Sequence, residues 1–386
     1  MRTRKPLSTW AQARQRAYDA AVPLPPQSRP LADCAGTVLA APLVARSPLP
    51  PYDVSAMDGF AVAGPGPWRL LGELRAGATW NAPLAPGNAV GIATGAAVPA
   101  GCTAVLQVER AQVRDGQLHG EVAPGRHVRR SGEECTVGEQ LLVAGTPITA
   151  AILGLAGACG HDVLEVRPRP RVAGVVTGDE LLVDGLPRDG RVRDALGPQL
   201  PLLVAAHGGD LVDLVHLRDD GPLLRAALEA LDAEVALVTG ATSVGPADHL
   251  RPVLDALGAE LLVDGVACRP GHPQLLARLP DGRLVVGLPG NPLAALVATV
   301  TLLAPLLARF GGRALHVQRA LLGEAVRAAP DSTRLVPVRL ERLHAHPVRH
   351  TGSGMLRGAA LADALAVVPP GLDLAAGAEV EVLPLP

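Results

Sequence analysis

The residues with the clearest chemistry lie between Val235 and Asp248. There an apolar run, 235–238, passes into Thr239-Gly240-Ala241-Thr242-Ser243-Val244-Gly245 and then into a helix-like stretch. Small residues at a strand-to-helix turn let backbone N–H groups close on an anion, and a helix N-terminus adds a favourable partial charge, so a phosphate fits around Gly240, Ser243 and Gly245. Glycines placed for turn geometry alone would leave the same pattern. A second junction follows 172–176 and reads Thr177-Gly178-Asp179-Glu180. Carboxylates at the carboxyl end of a strand in an open α/β sheet stand where ligands bind and could hold a metal ion or a sugar or pterin donor; at a helix start they would equally serve the helix dipole. At a third junction, Leu288-Pro289-Gly290-Asn291-Pro292, Asn291 is placed as an N-cap and Pro292 as the first helical residue. The Pro-led loop 50–60 carries Asp53, Ser55 and Asp58, whose carboxylates could simply cap Asx turns.

Such junctions need a scaffold that brings strand ends together. Strands at 172–176, 211–217, 235–238 and 285–288 alternate with helices at 197–206, 222–231, 249–257 and 292–310, the rhythm of a parallel α/β sheet. Upstream, Ser8 is placed as the N-cap of a helix over 9–21 that ends in the Pro-rich stretch 23–30. Short apolar runs broken by Gly and Pro fill 31–140, an apolar helix follows at 149–160, and Pro168 and Pro170 mark a boundary. Beyond 314 the text returns to β-like runs such as 335–340 and 379–383. The expected architecture is multidomain, α/β plus β. Residues 1–30 with 141–168 form a discontinuous helical linking domain, 31–140 a β-rich domain, 169–312 the central parallel α/β domain, and 313–386 a small, barrel-like β domain.

Composition agrees with a soluble globular chain: 386 residues, 48% apolar and 19% charged. A net charge of −2 argues against nucleic acid or an anionic membrane as partner, since both need a clustered positive field. Lys5 is the sole lysine among 35 basic residues, which reads as coding bias. Five scattered cysteines without a Cys-x-x-Cys pair suggest reduced thiols in a cytoplasmic protein, and the first 22 residues lack the apolar core of a secretory signal. The strongest membrane candidate, 292–308, contains Pro305 and reads as a buried helix.

Taken together, the ordered motifs resemble those of the MoeA and gephyrin E-domain family, over essentially the whole chain. The residues that carry the resemblance are Ser55-Ala56-Met57-Asp58-Gly59 in its Pro-led loop, Thr94-Gly95-Ala96 through Pro99-Ala100-Gly101, Gly132-Glu133-Glu134, residues 177–181, Ser243-Val244-Gly245 with Asp248, Arg269-Pro270-Gly271, residues 288–292, and Gly352-Ser353-Gly354-Met355. The resemblance implies an elongated homodimer whose α/β domain binds adenylated molybdopterin, with a β-rich domain of the partner subunit completing the site. It implies insertion of molybdate into the pterin dithiolene with release of AMP, assisted by Mg²⁺. On this mapping Asp58, Thr94, Glu180, Asp219 and Asp248 are catalytic, with Glu180 and Asp248 holding the metal. Thr177, Gly178, Asp179, Gly240, Ser243, Gly245, Arg269, His272, Pro289, Asn291, Pro292 and Ser353 contact substrate. A molybdopterin adenylyltransferase is an implied partner enzyme.

Several positions depart from the family pattern. Ala195 and Leu196 stand where the family has Ser-Asn, Gly240-Ala241 where it has Gly-Gly, and Glu134 and Thr103 where it has Asp. The family's lysines around Pro270 appear as Gly265, Arg269 and His272. Each lost charge-assisted hydrogen bond is worth ~1.5–3 kcal/mol unless replaced, and Arg251 or Arg278 are the candidates to replace it. The competing expectations are a non-catalytic molybdopterin-binding scaffold and an adenylyltransferase.

Overall fold

The computed structural model describes residues 7–240, 249–350 and 352–386, so Ser243, Gly245 and Asp248 lie outside the described residues. The chain divides into two compact units. One comprises Met1–Gln27, Gly36–Ala40 and Val166–Pro386, the other Ser28–Ala35 and Ala41–Glu165.

The first unit is built on a sheet whose strands run, edge to edge, Asp210–Leu217, Arg171–Thr177, Val235–Thr239, Leu284–Leu288, Leu275–Arg278 and Glu260–Asp264. The first four are parallel, while Leu275–Arg278 is antiparallel to both neighbours. Continuous Val, Leu and Ala runs suit strands covered on both faces. On one face Leu237 and Val286 pack with Leu200, Leu302 and Leu306; on the other Val238 and Val285 pack with Leu224, Leu228, Leu250 and Leu254. Strand Arg171–Thr177 has its sequence successor on one side and Val235–Thr239 on the other, so chain direction across the sheet reverses at the carboxyl ends of these two strands. In an open α/β sheet that is where a crevice forms and ligands bind. The strands Glu260–Asp264 and Leu275–Arg278 are additions to the sequence reading. No helix separates them, so the alternation of strands with helices does not reveal them.

The apolar stretch proposed as a buried helix runs as helix Pro292–Ala298, a π-helical stretch Thr299–Leu303 and helix Ala304–Phe310, with 89% of its most apolar window buried. The N-terminal helix Trp10–Ala20 packs on it through Trp10, whose Nε1 donates to Thr301 Oγ1 at 3.1 Å. Its N-cap is Thr9 rather than Ser8. Thr9 Oγ1 accepts from the Gln12 amide while Gln12 Oε1 accepts from the Thr9 amide, a reciprocal capping box. Ser8 Oγ instead accepts from Arg16. Replacing Thr9 by alanine is expected to destabilise this helix by about 1 kcal/mol, read as a lowered Tm with unchanged activity.

Strands Gln318–Leu322, Thr333–Glu341, His344–Pro347, Ala364–Val368 and Glu379–Pro384 close into a five-stranded barrel, because Thr333–Glu341 pairs with both His344–Pro347 and Ala364–Val368. The expected barrel-like terminal domain is therefore observed.

The second unit holds a six-stranded sheet in the order Gln112–Arg114, Gln117–His119, Trp68–Leu74, Asn88–Ile92, Gly59–Val62 and Ala104–Gln107. Alternating side chains feed two cores: Ala61, Val90 and Val105 on one face, Val62, Ala89 and Leu106 on the other. A short helix, Ala150–Ala158, capped by Thr149, belongs to this unit. Cys135 and Cys159 lie side by side here as free thiols, 3.6 Å between sulfurs.

Candidate functional site

In the second unit three of the motif loops converge. The Ser55 amide donates to Ala96 O and the Gly95 amide to Ser55 O, which locks the Ser55–Gly59 turn onto the Thr94 loop. Gly132 N donates to Pro50 O and Glu134 N to Leu49 O, bringing in the third loop. Asp53 fastens this assembly, accepting from Arg130 Nη1 at 2.6 Å and the Ser131 amide at 2.9 Å. Asp58 Oδ1 then accepts from both the amide and the hydroxyl of Thr94, at 2.7 and 2.9 Å. These two donors, the amide first, hold the Asp58 carboxyl below its usual range, so it is an anion at neutral pH. Both residues are exposed. Glu134, on the third loop, is exposed as well.

In the first unit the motif residues gather at the carboxyl edge of the sheet. Thr177 Oγ1 donates to Thr239 O at 2.7 Å, tying together the two strand ends at the direction reversal. Gly240 follows with φ +84°, and its amide donates to Leu288 O at 3.3 Å. A Cβ on Gly240 would stand 2.5 Å from the Thr177 carbonyl oxygen, so only glycine allows the chain to leave the strand here. Thr239 Oγ1 is buried with no partner among the described residues. A buried hydroxyl without a partner among the described residues thus stands just before the segment expected to bind an anion.

Asp179 and Asp219, on adjacent strand ends, each accept the other's backbone amide, both at 3.4 Å. Each thus holds the other loop in place and keeps a carboxylate oxygen to offer. Glu180 is exposed, with no side-chain partner among the described residues. Asn291 is the N-cap of helix Pro292–Ala298 as expected, with Pro289 buried behind it, yet its side chain makes no capping bond. The carbonyl of Ser353 does that work, accepting from the amides of Leu293 and Ala294 at 3.0 and 3.2 Å. Those amides are therefore not offered to an anion. The Ser353 and Asn291 side chains remain exposed.

Arg269 is largely exposed, 3.9 Å from Asp331. His272 turns its Nδ1 to Val266 O at 3.1 Å; a carbonyl only accepts, so Nδ1 carries a proton. The turn between them packs on helix Pro292–Ala298, with Gly271 against Ala294 and Val297.

The structure accounts physically for several departures. Gly265 has φ +79°, at the turn between two strands, where its amide donates to Gln274 O. A side chain there is strained, so glycine serves the backbone. Leu196 is 8% exposed and belongs to the core with Leu200 and Val204. The compensating arginines, in contrast, are already engaged. Arg251 holds Asp264 at 2.8 Å. Arg278 holds Glu260 and the Ala20 carbonyl, and pairs in register with Leu284, at the opposite end of the sheet from the site.

One pair was not singled out from the sequence. Asp194 is buried and accepts from His216 Nε2 at 2.9 Å and from the amides of Leu196 and Gly197. His216 pairs in register with Val176, so this pair supports the same edge. An Asp just before a helix start was the available signal, but sequence does not place a histidine 22 residues later beside it. Burial pushes the Asp194 carboxyl up, and His216 and the two amides outweigh it to leave it below its usual range. A depressed folded pKa contributes stability that is complete above the unfolded value of ~3.9 and is lost as pH falls through the folded value. Asp194→Asn keeps the amide acceptor and removes the charge. It is expected to flatten the dependence of Tm on pH below about 4 relative to the unaltered protein.

Comparison with known proteins fits this geometry. Residues 8–160 match the model of the MoeA N-terminal region (domains I and II), 173–309 that of a probable molybdopterin binding domain, and 319–385 that of the MoeA C-terminal region (domain IV). Molybdopterin molybdenumtransferase 2 of Mycobacterium tuberculosis is 35% identical over 303 residues, which is 72% of this chain and 74% of that protein. The chain belongs to the molybdopterin molybdenumtransferase (MoeA) family. Its relation to the molybdopterin molybdenumtransferase of Synechococcus elongatus spans nearly everything, 31% identity over 94% of this chain and 95% of that one. Among solved structures, a molybdopterin biosynthesis MoeA protein from Pyrococcus horikosii superposes with a TM-score of 0.77 at 27% identity, covering 98% of both chains. The family's three regions thus recur here in order, and both loop clusters fall inside the matched regions.

Proposed function

We propose that this chain inserts molybdate into adenylated molybdopterin and releases AMP, in the last stages of molybdenum cofactor assembly. The observation that carries the reading is the pair of convergent loop clusters: separate motifs, far apart in sequence, meet around Asp58 and Thr94 in one unit and around Thr177, Gly240 and Asn291 in the other. The relatives named above, molybdopterin molybdenumtransferases, supply the reaction. In this reading Asp58, Thr94, Glu180 and Asp219 are catalytic. Thr177, Gly178, Asp179, Gly240, Arg269, His272, Pro289, Asn291, Pro292 and Ser353 contact substrate. Arg269 offers a planar fork to phosphate or molybdate oxygens. The Thr239 hydroxyl joins this set as a donor that lacks a protein partner among the described residues. The working form is a homodimer in the cytoplasm, and a molybdopterin adenylyltransferase supplies its substrate.

Mg²⁺ is a separate matter. Among the described residues no three of His, Cys, Asp or Glu surround one point. A hard divalent ion wants six oxygens, and Glu180 alone among the described carboxylates was expected to provide one. Asp248, the other expected ligand, lies outside the described residues; Glu180 and Asp248 would hold the ion, which would neutralise phosphate charge. The non-catalytic alternative drew its motive from Gly265, His272, Ala195 and Leu196; turn geometry accounts for Gly265 and core packing for Leu196, and with relatives that are molybdopterin molybdenumtransferases it is not favoured.

The test supplies purified protein with adenylated molybdopterin, Mg²⁺ and molybdate and scores cofactor by activation of a cofactor-free molybdoenzyme. Activation above a no-protein control is expected. Its absence, together with failure to rescue a strain lacking its molybdenumtransferase, would overturn the reading.

A further inference from the structure

Away from the loop clusters, the first unit contains a cavity of about 170 Å³ where the N-terminal helix, the chain after Phe310 and the last barrel strand meet. Its polar lining is Arg14, His207, Arg313 and His316, against Val300 and Leu383. Two features of this lining are physically unusual. First, His207 Nε2 is buried and has no hydrogen-bond partner among the described residues. Second, two guanidinium groups line the same small space without an ion pair to any carboxylate among the described residues. Arg14 donates to Val300 O at 2.6 Å and stacks over Trp10, and Arg313 donates to His207 O, all neutral partners. Glu381 is the acid whose charge is felt at Arg14; Arg313 feels only another cation, Arg169. Burial lowers both guanidinium groups, and burial followed by the fields of Arg313 and Arg14 pushes His207 down to about 4.

Partly desolvated cations that line one cavity with a neutral imidazole are unfavourable unless a counter-charge arrives. The space is several times the ~30 Å³ a water molecule occupies, and the lining residue His316 is exposed to solvent. We propose that this cavity binds a tetrahedral oxyanion, held by the remaining N–H groups of Arg14 and Arg313 and by the Nε2–H of His207. Sulfate, phosphate and molybdate share this chemistry. Bound there, the anion ties helix Trp10–Ala20 to the end of helix Leu200–Ala206 and to the chain after Phe310, through donors on three separate segments. The inference stands apart from the transferase reading, since none of these residues belongs to either loop cluster.

The experiment measures Tm of the full chain against rising sulfate, phosphate and molybdate, each at ionic strength matched with chloride. A saturable rise in Tm with at least one oxyanion is expected, and the anion that saturates at lowest concentration names the source. Arg14→Gln and Arg313→Gln should each raise the saturating concentration tenfold or more, the scale of one charged hydrogen bond. Asp58→Asn should leave it unchanged. In parallel, the side-chain ¹⁵N resonances of His207 in the unsubstituted protein should move in step with saturation, an arm that does not depend on any variant folding. No saturable response, a response that survives both arginine substitutions, or a stationary His207 signal during saturation would each overturn the assignment.

Discussion

Asp58→Asn is expected to lower molybdenum insertion at least a hundredfold while leaving Tm within a degree of the unaltered protein. The two readouts separate because the substitution is nearly isosteric. Asparagine retains Oδ1, and with it the acceptor for the Thr94 amide and hydroxyl that closes the loop. What disappears is the charge, which the same two donors keep in place at neutral pH. The side chain is exposed, so the folded state has no buried charge to lose. Oδ1 serves the loop while the exposed charge acts on whatever docks there, and removing a charge that acts only on the reacting ligand lowers turnover without changing stability. Asp58→Ala differs in a useful way. It removes the acceptor as well, leaves the Thr94 amide to water, and should loosen the loop in addition to abolishing turnover. Equal activity of Asp58→Asn and the unaltered protein in the cofactor assay would remove Asp58 from the catalytic set.

How much of this was legible in the sequence depended on whether the cause was local. The alternation of apolar strands with helices is a local pattern, and it located the four parallel strands and their order in the chain. The register that puts Thr177 beside Thr239 is not local, yet it follows from the fold class, because strand ends of a parallel sheet share an edge. The antiparallel strands Glu260–Asp264 and Leu275–Arg278 lack an intervening helix, and their Leu-rich text says nothing about direction. Thr9 and Ser8 are chemically similar caps, and only the reciprocal bond with Gln12 decides between them.

Side-chain roles were less legible than positions. Asn291 looked like a capping side chain, whereas the cap is a backbone carbonyl from Ser353, which sequence could not assign because it comes from another domain. Gly265 looked like a lost cation, although its backbone occupies the left-handed region that a lysine would strain. Arg278 looked like a spare cation, but strand direction carries it to the far end of the sheet. Asp194 and His216 form a buried pair across 22 residues that no spacing rule anticipates. In each case the residue type was read correctly and its partner was not. A sequence states what a side chain can do, and the fold decides which neighbour is within 3 Å.

Gly240 shows the same principle in its most severe form, and Gly240→Ala is expected to destabilise the first unit by about 2–5 kcal/mol. Two costs combine. Alanine at φ +84° sits in the left-handed region, which costs roughly 1–2 kcal/mol for a residue with a Cβ. The new Cβ also meets the Thr177 carbonyl oxygen at 2.5 Å and Thr177 Oγ1 at 3.0 Å. Neither atom is the end of a flexible side chain. The carbonyl is main chain, and the hydroxyl is held by Thr239 O at 2.7 Å, so relief requires the two strand ends to separate. Overpacking of this kind costs about 1–3 kcal/mol. Separation would also stretch the bond from the Gly240 amide to Leu288 O, already 3.3 Å, and with it the register of the third loop. The variant should therefore lose both Tm and insertion activity, unlike Asp58→Asn, which loses only the second. Gly290→Ala is the matched control. Gly290 lies beside Gly240, its φ is not in the left-handed region, and its Cβ would meet Gly240 Cα at an ordinary 3.6 Å. Its stability should stay within ~0.5 kcal/mol of the unaltered protein's. Equally small thermal shifts for the two alanines would mean that crowding at the strand ends does not govern this edge of the sheet, and that the glycine at 240 is dispensable to the fold.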